Sequence, residues 1–423
     1  MRNRRGSFTV QIVLLFSAML ILIWAVLSAA GDLAIYSTAE DFGRLWGTSI
    51  LAEYDLNLKD RYGLFGFYGD TVTVERKLDS YADYTFGEKA YIEYGGSVCS
   101  LDGYRLTEPE QLKQQMTDAV LFGSRPHGLH RAETENAGTS GTSGETGAVG
   151  RSTGSRTITS RWILDSLPSA GNGGDADVTG LVSQIKSGKG LSAILGSSTV
   201  NQYIVTYFQH YRSTGDLGDT YFRNEIEYII CGKPDDEKAR KKVRQKLIVM
   251  RNLLNLAYLY ASPEKREAAL ALAEVMTPGP EAVITQGVLL ELWAFAEAEN
   301  DLRLLCDDKP VPLIKSDSSW AMTLENAMEQ IPDSEKRYIT PSVLEGESYE
   351  VYLRILLNGV PEQTRLLRVM DLIQINMKYL YCDYFLLEDY HTGLQFSMWV
   401  NGEEHEFKES YERTAEEERE LSG

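Results

Sequence analysis

Gly6 to Gly31 carries no charged side chain over 26 residues, with Arg2, Arg4 and Arg5 ahead of it and Asp32 directly behind. A helix crossing the hydrocarbon core of a bilayer needs about 20 apolar residues, and residues 10–30 supply them. Peptide groups in that medium find no water, so a single crossing segment must close its hydrogen bonds internally as a transmembrane helix. Three arginines before the span and the mixed, mostly acidic Asp32, Glu40, Asp41 and Arg44 after it predict a cytoplasmic N-terminus. Residues 32–423 are then extracellular and the chain is a single-pass protein of the cell membrane. The opposing reading is a cleaved secretory signal with its small-residue site at Ser28-Ala29-Ala30. An apolar signal core runs about 7–15 residues; Val10–Leu27 is longer, so length favours the anchor.

Charge narrows the partners. The chain has 61 acidic against 42 basic residues and a formal charge of −19, whereas nucleic acid and anionic lipid surfaces reward clustered Lys and Arg. No nucleic-acid partner is expected; the lipid contact is the apolar one through residues 10–30. Cys99, Cys231, Cys306 and Cys382 lie too far apart for a CxxC pair or zinc spacing. Their apolar neighbours favour buried thiols, with a disulfide left as the alternative.

Composition along the chain predicts an α+β, predominantly helical protein. Residues 1–9 are a basic cytoplasmic segment and 10–30 the span. Ile35, Ala39, Phe42, Trp46, Ser49 and Glu53 then continue a helical spacing, so one helix should run to about Leu58. The aromatic, glycine-rich Tyr62 to Gly69 reads as a buried corner. A helix over 74–85, short strands between Tyr91 and Leu106, and a helix opened by Thr107-Glu108-Pro109-Glu110 complete a mixed unit over 31–122. Residues 123–175, rich in Gly, Ser and Thr around Gly138-Thr139-Ser140-Gly141, read as a flexible linker because they offer little apolar area to offset ordering entropy.

Residues 176–423 read as a helix-rich domain. Val200, Tyr203, Ile204, Tyr207, Phe208 and Tyr211 form one helical stripe, and Ile226 to Cys231 is short and β-prone. Long helices are predicted from Asp235 or Asp236 to Ala261, from Ser262-Pro263 onward, from Glu281 to Leu305, from Glu347 or Ser348 to Leu357, and from Pro361 to Leu380. Asn401-Gly402 between two alternating runs predicts a hairpin over 394–408. Residues 413–423 are charge-rich and read as frayed or as a solvated helix.

Residue patterns for chemistry are weak. His127 and His130 share a glycine-containing loop without the convergent scaffold a metal needs, and His405 among glutamates reads as a solvated strand edge. Ser187-Gly188-Lys189-Gly190 lacks both the leading glycine and the closing Ser/Thr of a phosphate loop. Arg368 and Asp371 on an apolar helix read as a structural pair, and Asp307-Asp308 as a helix end. Most of the 24 tyrosines fall on apolar stripes and belong to the core. No catalytic residue, metal ligand or cofactor site is assigned, and a non-enzymatic role is expected.

Gly6-Ser7-Phe8-Thr9-Val10-Gln11 ahead of an apolar helix resembles the start of TadE/TadG-like pseudopilins of Tad (Flp, type IVc) pilus systems. Further along, Ala52-Glu53-Tyr54-Asp55, Tyr62-Gly63-Leu64-Phe65, Glu227-Tyr228-Ile229-Ile230 with Gly232-Lys233, Val311-Pro312-Leu313-Ile314-Lys315 and Asp371-Leu372-Ile373-Gln374-Ile375-Asn376 resemble an uncharacterised family of single-span proteins encoded beside Tad pilus genes in Gram-positive bacteria. The resemblance implies a pilus-associated accessory or structural component whose partners are other Tad pilus membrane proteins or pseudopilins. It also implies prepilin-peptidase processing between Gly6 and Ser7. Gln11 stands where those pseudopilins carry glutamate; a neutral amide cannot supply the charge thought to pair with the next subunit's amine. That departure favours an accessory over a regular filament subunit. The alternative from the residues is a membrane-tethered extracellular module binding a ligand or protein.

Overall fold

The computed structural model describes residues 5–87, 91–122, 156–159, 161–169, 174–187, 196, 198–213, 219–329 and 338–411. In chain order its elements are α1 (Arg5–Leu51), α2 (Leu56–Tyr62), β1 (Phe67–Tyr68), α3 (Thr71–Phe86), β2 (Tyr94–Ser100), α4 (Pro109–Phe122), α5 (Arg161–Asp165), α6 (Val178–Lys186), α7 (Thr199–Tyr207), α8 (Glu225–Cys231), α9 (Asp236–Ala261), α10 (Pro263–Met276), α11 (Ala282–Cys306), α12 (Leu324–Met328), α13 (Tyr349–Asn358), α14 (Glu362–Leu380), β3 (Tyr390–His391), β4 (Gly393–Val400) and β5 (Glu403–Ser410). The protein is therefore mostly helical, with a long apolar helix at the start and a strand hairpin near the end. Residues 123–155, Ser187-Gly188-Lys189-Gly190 beyond its serine, and residues 413–423 lie outside the described residues, as do His127 and His130.

The chain divides into two compact units, and their boundaries differ from 31–122 and 176–423. The first joins residues 1–56, 65–111 and 388–423; the second joins 57–64 and 112–387. The hairpin, expected to close the 176–423 domain, instead belongs to the first unit. There β4 pairs antiparallel with β5 through Phe396↔Phe407 and Met398↔His405, and with β2 through Cys99↔Phe396. Asn401 and Gly402 turn the hairpin with φ of 51° and 82°, the left-handed pair that a two-residue turn requires.

In the first unit the second half of α1 lies on this sheet. Ala39, Gly43, Trp46, Gly47 and Ile50 are buried, and Trp46 packs edge-on to Phe86 of α3 with ring centres 5.4 Å apart. The helix stops at Leu51, short of Leu58, and α2 follows after a break at 52–55.

The second unit is built on α9, α10 and α11. Asp235 caps α9 by accepting from the Lys238 N–H, and Ser262 caps α10 with Pro263 at its first position. Leu259, Ala273, Leu290, Trp293 and Trp320 lie in its core. The tyrosine stripe of α7 is buried from Val200 to Phe208, but the helix ends at Tyr207 and Tyr211 lies beyond it. Ile226 to Cys231, expected to be β-prone, instead lies in the helix Glu225–Cys231, which ends on Gly232 at φ 65°. Of the stretch expected to be linker, residues 156 and 158 are docked on the chain before α9: Asp236 N–H donates to the Arg156 carbonyl at 3.1 Å and Ile158 N–H to the Pro234 carbonyl at 3.0 Å.

Candidate functional site

The first functional element is α1 itself. At 47 residues and 1.5 Å per residue it is about 70 Å long, more than twice a hydrocarbon core. Its most apolar 18-residue window has a mean hydropathy of 2.7 and no buried residue. Val10 to Leu27 presents Leu15, Trp24 and Leu27 at 66–72% exposure. An apolar surface of this extent is unfavourable in water and suits lipid. Among the described residues this is the helix long and apolar enough to cross a membrane. Gly6 and Ser7 lie in its first turns, and Gln11 is exposed on its apolar half. Arg2 and Arg4 lie outside the described residues, and Arg5 begins the helix.

His405 is a correction to the solvated-edge reading. It is 3% exposed, its Nδ1 lies within hydrogen-bond distance of Glu40 Oε1 of α1 at 3.1 Å, and its ring centre is 4.8 Å from that of Tyr36. Strand alternation explains it: Glu404 and Glu406 face solvent, so His405 and Phe407 face the helix.

In the second unit, sequence-distant motifs meet around α8. Tyr228 donates to Asp371 Oδ2 at 2.7 Å, and Asn376 donates to Glu225 Oε1 at 2.6 Å and to the Tyr62 hydroxyl at 2.9 Å. Arg368 donates to the Ile229 carbonyl and to Gly174, both at 2.8 Å. Arg368 and Asp371, expected to pair with each other, thus both hold α8 and the chain beside it. Gly232 is required here: a Cβ would meet the Arg368 guanidinium at 2.6 Å, in a backbone conformation that side chains avoid.

Glu225 and Glu227 are buried at 1% and 0% exposure. Glu225 accepts from Gln209 N–H at 2.8 Å, and Glu227 accepts from Tyr211 N–H at 3.0 Å and from the Tyr349 hydroxyl at 2.9 Å. Asp236 accepts from the N–H groups of Arg223 and Asn224. These carboxylates supply acceptors to the backbone N–H groups of residues 209, 211, 223 and 224, which burial would otherwise leave without partners. The Glu225 and Glu227 side chains are both enclosed, and the second Glu227 oxygen, Oε2, is buried without a hydrogen-bond partner.

Burial pushes Glu225 and Glu227 up to about 7, against backbone donors that pull both down. A folded carboxyl titrating near 7, against about 4.3 unfolded, binds its proton more tightly in the native state. Its contribution is complete below the unfolded value and is lost as pH rises through 7. Burial lowers His210 to about 4, which acts in the opposite direction but only below the ordinary histidine range. The loss therefore runs from about pH 4.3 to about 7 and levels off above it; between pH 6.5 and 7.5, clear of the range His210 offsets, the second unit should lose stability at roughly 0.7 kcal/mol per pH unit per carboxyl. Denaturant midpoints across that range test this; Glu225→Gln and Glu227→Gln should each flatten the slope.

Cys99 and Cys231 are buried thiols as expected, whereas Cys306 is half-buried and Cys382 is exposed. Burial pushes the Cys231 thiol up to about 11. All four are free, and among the described residues no group of three or more His, Cys, Asp or Glu side chains is placed to hold a metal ion.

No curated protein and no solved structure matches the chain. A family profile does match, over residues 153–402, more than half the length, and covers α8, α14 and the buried polar contacts between them. The chain belongs to a family of unknown function, DUF5702.

Proposed function

We propose that this protein is a membrane-anchored, pseudopilin-like accessory or structural component of a Tad/Flp-type pilus or of a related cell-envelope assembly, without enzymatic activity. The observation that carries the reading is the division of labour within α1. Its first half is bare and apolar over Val10–Leu27, while its second half is seated on an antiparallel sheet through Ala39, Gly43, Trp46, Gly47 and Ile50. Such a helix joins a folded exterior unit rigidly to whatever lies in the membrane, a useful property for a part that packs laterally with other membrane helices. The Gly6-to-Gln11 start supports the same reading, and Gln11 in place of an acid favours an accessory.

Deleting the gene in its host should reduce surface pili or their adhesion and secretion; unchanged pili, adhesion and secretion would overturn the proposal. Topology has its own test. Cys382 is exposed while Cys99 and Cys231 are buried, so a membrane-impermeant maleimide added to intact cells should label the wild type and spare Cys382→Ser. The protein should stay in the membrane fraction through an alkaline wash, and a chain lacking residues 10–30 should not.

A further inference from the structure

A cavity of about 640 Å³ in the second unit is walled by Trp293, Trp320 and Leu272, with Glu325 and Glu329 at its rim. Its size is that of a small-ligand site. Both indole N–H groups are committed to one acceptor, the Met322 carbonyl, at 2.8 and 2.7 Å. The two tryptophans therefore offer the cavity ring faces and edges but no hydrogen-bond donor. They stand edge to face at 5.7 Å, and Tyr258 stacks on Trp320 at 5.3 Å.

One cation already sits among the three rings. The Lys265 ammonium lies 5.9 Å from the centre of Tyr258, 5.4 Å from Trp293 and 5.3 Å from Trp320. Asp317 flanks it at 3.6 Å and accepts from the Tyr258 hydroxyl. Three electron-rich faces converging on one positive charge within about 6 Å form an aromatic cage. Asp317, Glu325 and Glu329 against Lys265 alone leave the surroundings acidic, which disfavours an anion and favours a second cation.

We propose that this cage is a binding site for an alkylammonium group, with Lys265 as its internal occupant. A primary ammonium is a compact, strongly hydrated charge with three N–H donors; caged as here, it gives up part of that hydration for ring faces that offer no lone-pair acceptor. A quaternary ammonium has no N–H to satisfy and spreads its charge over methyl groups, so it fits three rings and the apolar wall better. Lys265 has the advantage of attachment, since a tethered group competes at a high effective concentration. Removing that tethered competitor should therefore open the site. The proposal does not depend on the pilus reading.

The test is titration of the full chain in detergent with choline, followed by tryptophan fluorescence, with its neutral carbon isostere 3,3-dimethyl-1-butanol as control. The wild type should bind weakly. Lys265→Met, which keeps the aliphatic stem, should bind about tenfold tighter. Trp320→Leu in the Lys265→Met background should abolish the response, and the neutral control should give none. Lys265→Gln serves as the second variant should the methionine chain fail to fold. Equal affinity in wild type and in whichever folded Lys265 variant is measured, or equal binding of the neutral alcohol, would overturn the proposal.

Discussion

Arg251→Met is expected to cost about 3–5 kcal/mol of the second unit's stability, read as a drop in the denaturant midpoint of the full chain in detergent. Arg251 is fully buried on α9, and each of its three guanidinium nitrogens has a partner. Nε faces Asp301 Oδ2 at 3.0 Å, one terminal nitrogen reaches the Leu313 carbonyl at 2.8 Å and the Tyr352 hydroxyl at 3.2 Å, and the other reaches Asn255 at 2.9 Å. Lys315 completes the cluster, 2.6 Å from Glu297 and 2.7 Å from Asp301. Two cations and two carboxylates make a neutral group out of water. Each member alone would be costly to bury, so deleting one leaves an uncompensated charge. Burial pushes Glu297 up, as does the neighbouring Asp301 charge, and Lys315 pulls it back.

The same logic separates the pair from its surroundings. Arg251→Lys keeps the charge but cannot reach four partners from one planar fork, so it should fall between wild type and methionine. Arg251→Met with Asp301→Leu removes opposite charges together and leaves the neutral Lys315–Glu297 pair. That double variant should be more stable than the two single losses added, a coupling that a mutant cycle measures directly. Additive losses would show that packing rather than charge dominates at this position. Lys315 is the end of the Val311–Lys315 motif, so a segment without an obvious role in the sequence is seen to close an ionic core.

What the sequence disclosed was local. The bare span, the caps at Asp235 and Ser262, the proline at the start of α10 and the Asn401-Gly402 turn each depend on a few neighbouring residues, and each lies where its local chemistry demands. What it concealed was pairing at a distance. Cys99 faces Phe396 across β2 and β4, nearly three hundred residues apart, and no periodicity in either strand names its partner. Ile226, Ile229 and Ile230 carry high strand propensity, yet tertiary contacts override it. Helical turns place Glu225 and Glu227 where they accept from Gln209 and Tyr211, and Gly232 supplies the stop. His405 differs from its solvated-edge expectation because the charge of its neighbours marks the outer face of β5, while alternation puts His405 itself on the inner one. Buried charge is equally illegible: Arg251, Asp301, Glu297 and Lys315 look like ordinary solvated residues until three chain segments bring them together.

The seat of α1 gives the second large effect, and it rests on two glycines four apart. Of the stripe expected through Ile35, Ala39, Phe42, Trp46, Ser49 and Glu53, the first four do face the core, but it then passes through Gly47 and Ile50 instead of Ser49 and Glu53, and Gly43 joins it. A Cβ on Gly43 would fall against the Phe407 ring, and one on Gly47 would meet the Glu409 side chain at 2.6 Å and Phe396 at 3.3 Å. Phe407 cannot easily yield, because it is 4% exposed and stacked on Phe396 at 4.9 Å. In an exposed helix interior, glycine to alanine gains about 1 kcal/mol from propensity alone, and Gly287 in α11, with nothing near its Cα, should behave so. Gly43→Ala should have the opposite sign, because overpacking costs about 1–3 kcal/mol. Gly43→Leu should exceed that range and lift the helix off the sheet. Trp46, buried on the same face, reports the change through its fluorescence, and protease sensitivity of the first unit reports it independently. Membrane retention should persist in Gly43→Leu, since the bare span is untouched. If the protein acts by transmitting position from the membrane to its exterior unit, Gly43→Leu should then lose pilus function while remaining anchored, which deletion of residues 10–30 cannot distinguish. Retained pili with a melted seat would mean that the anchor serves only as a tether.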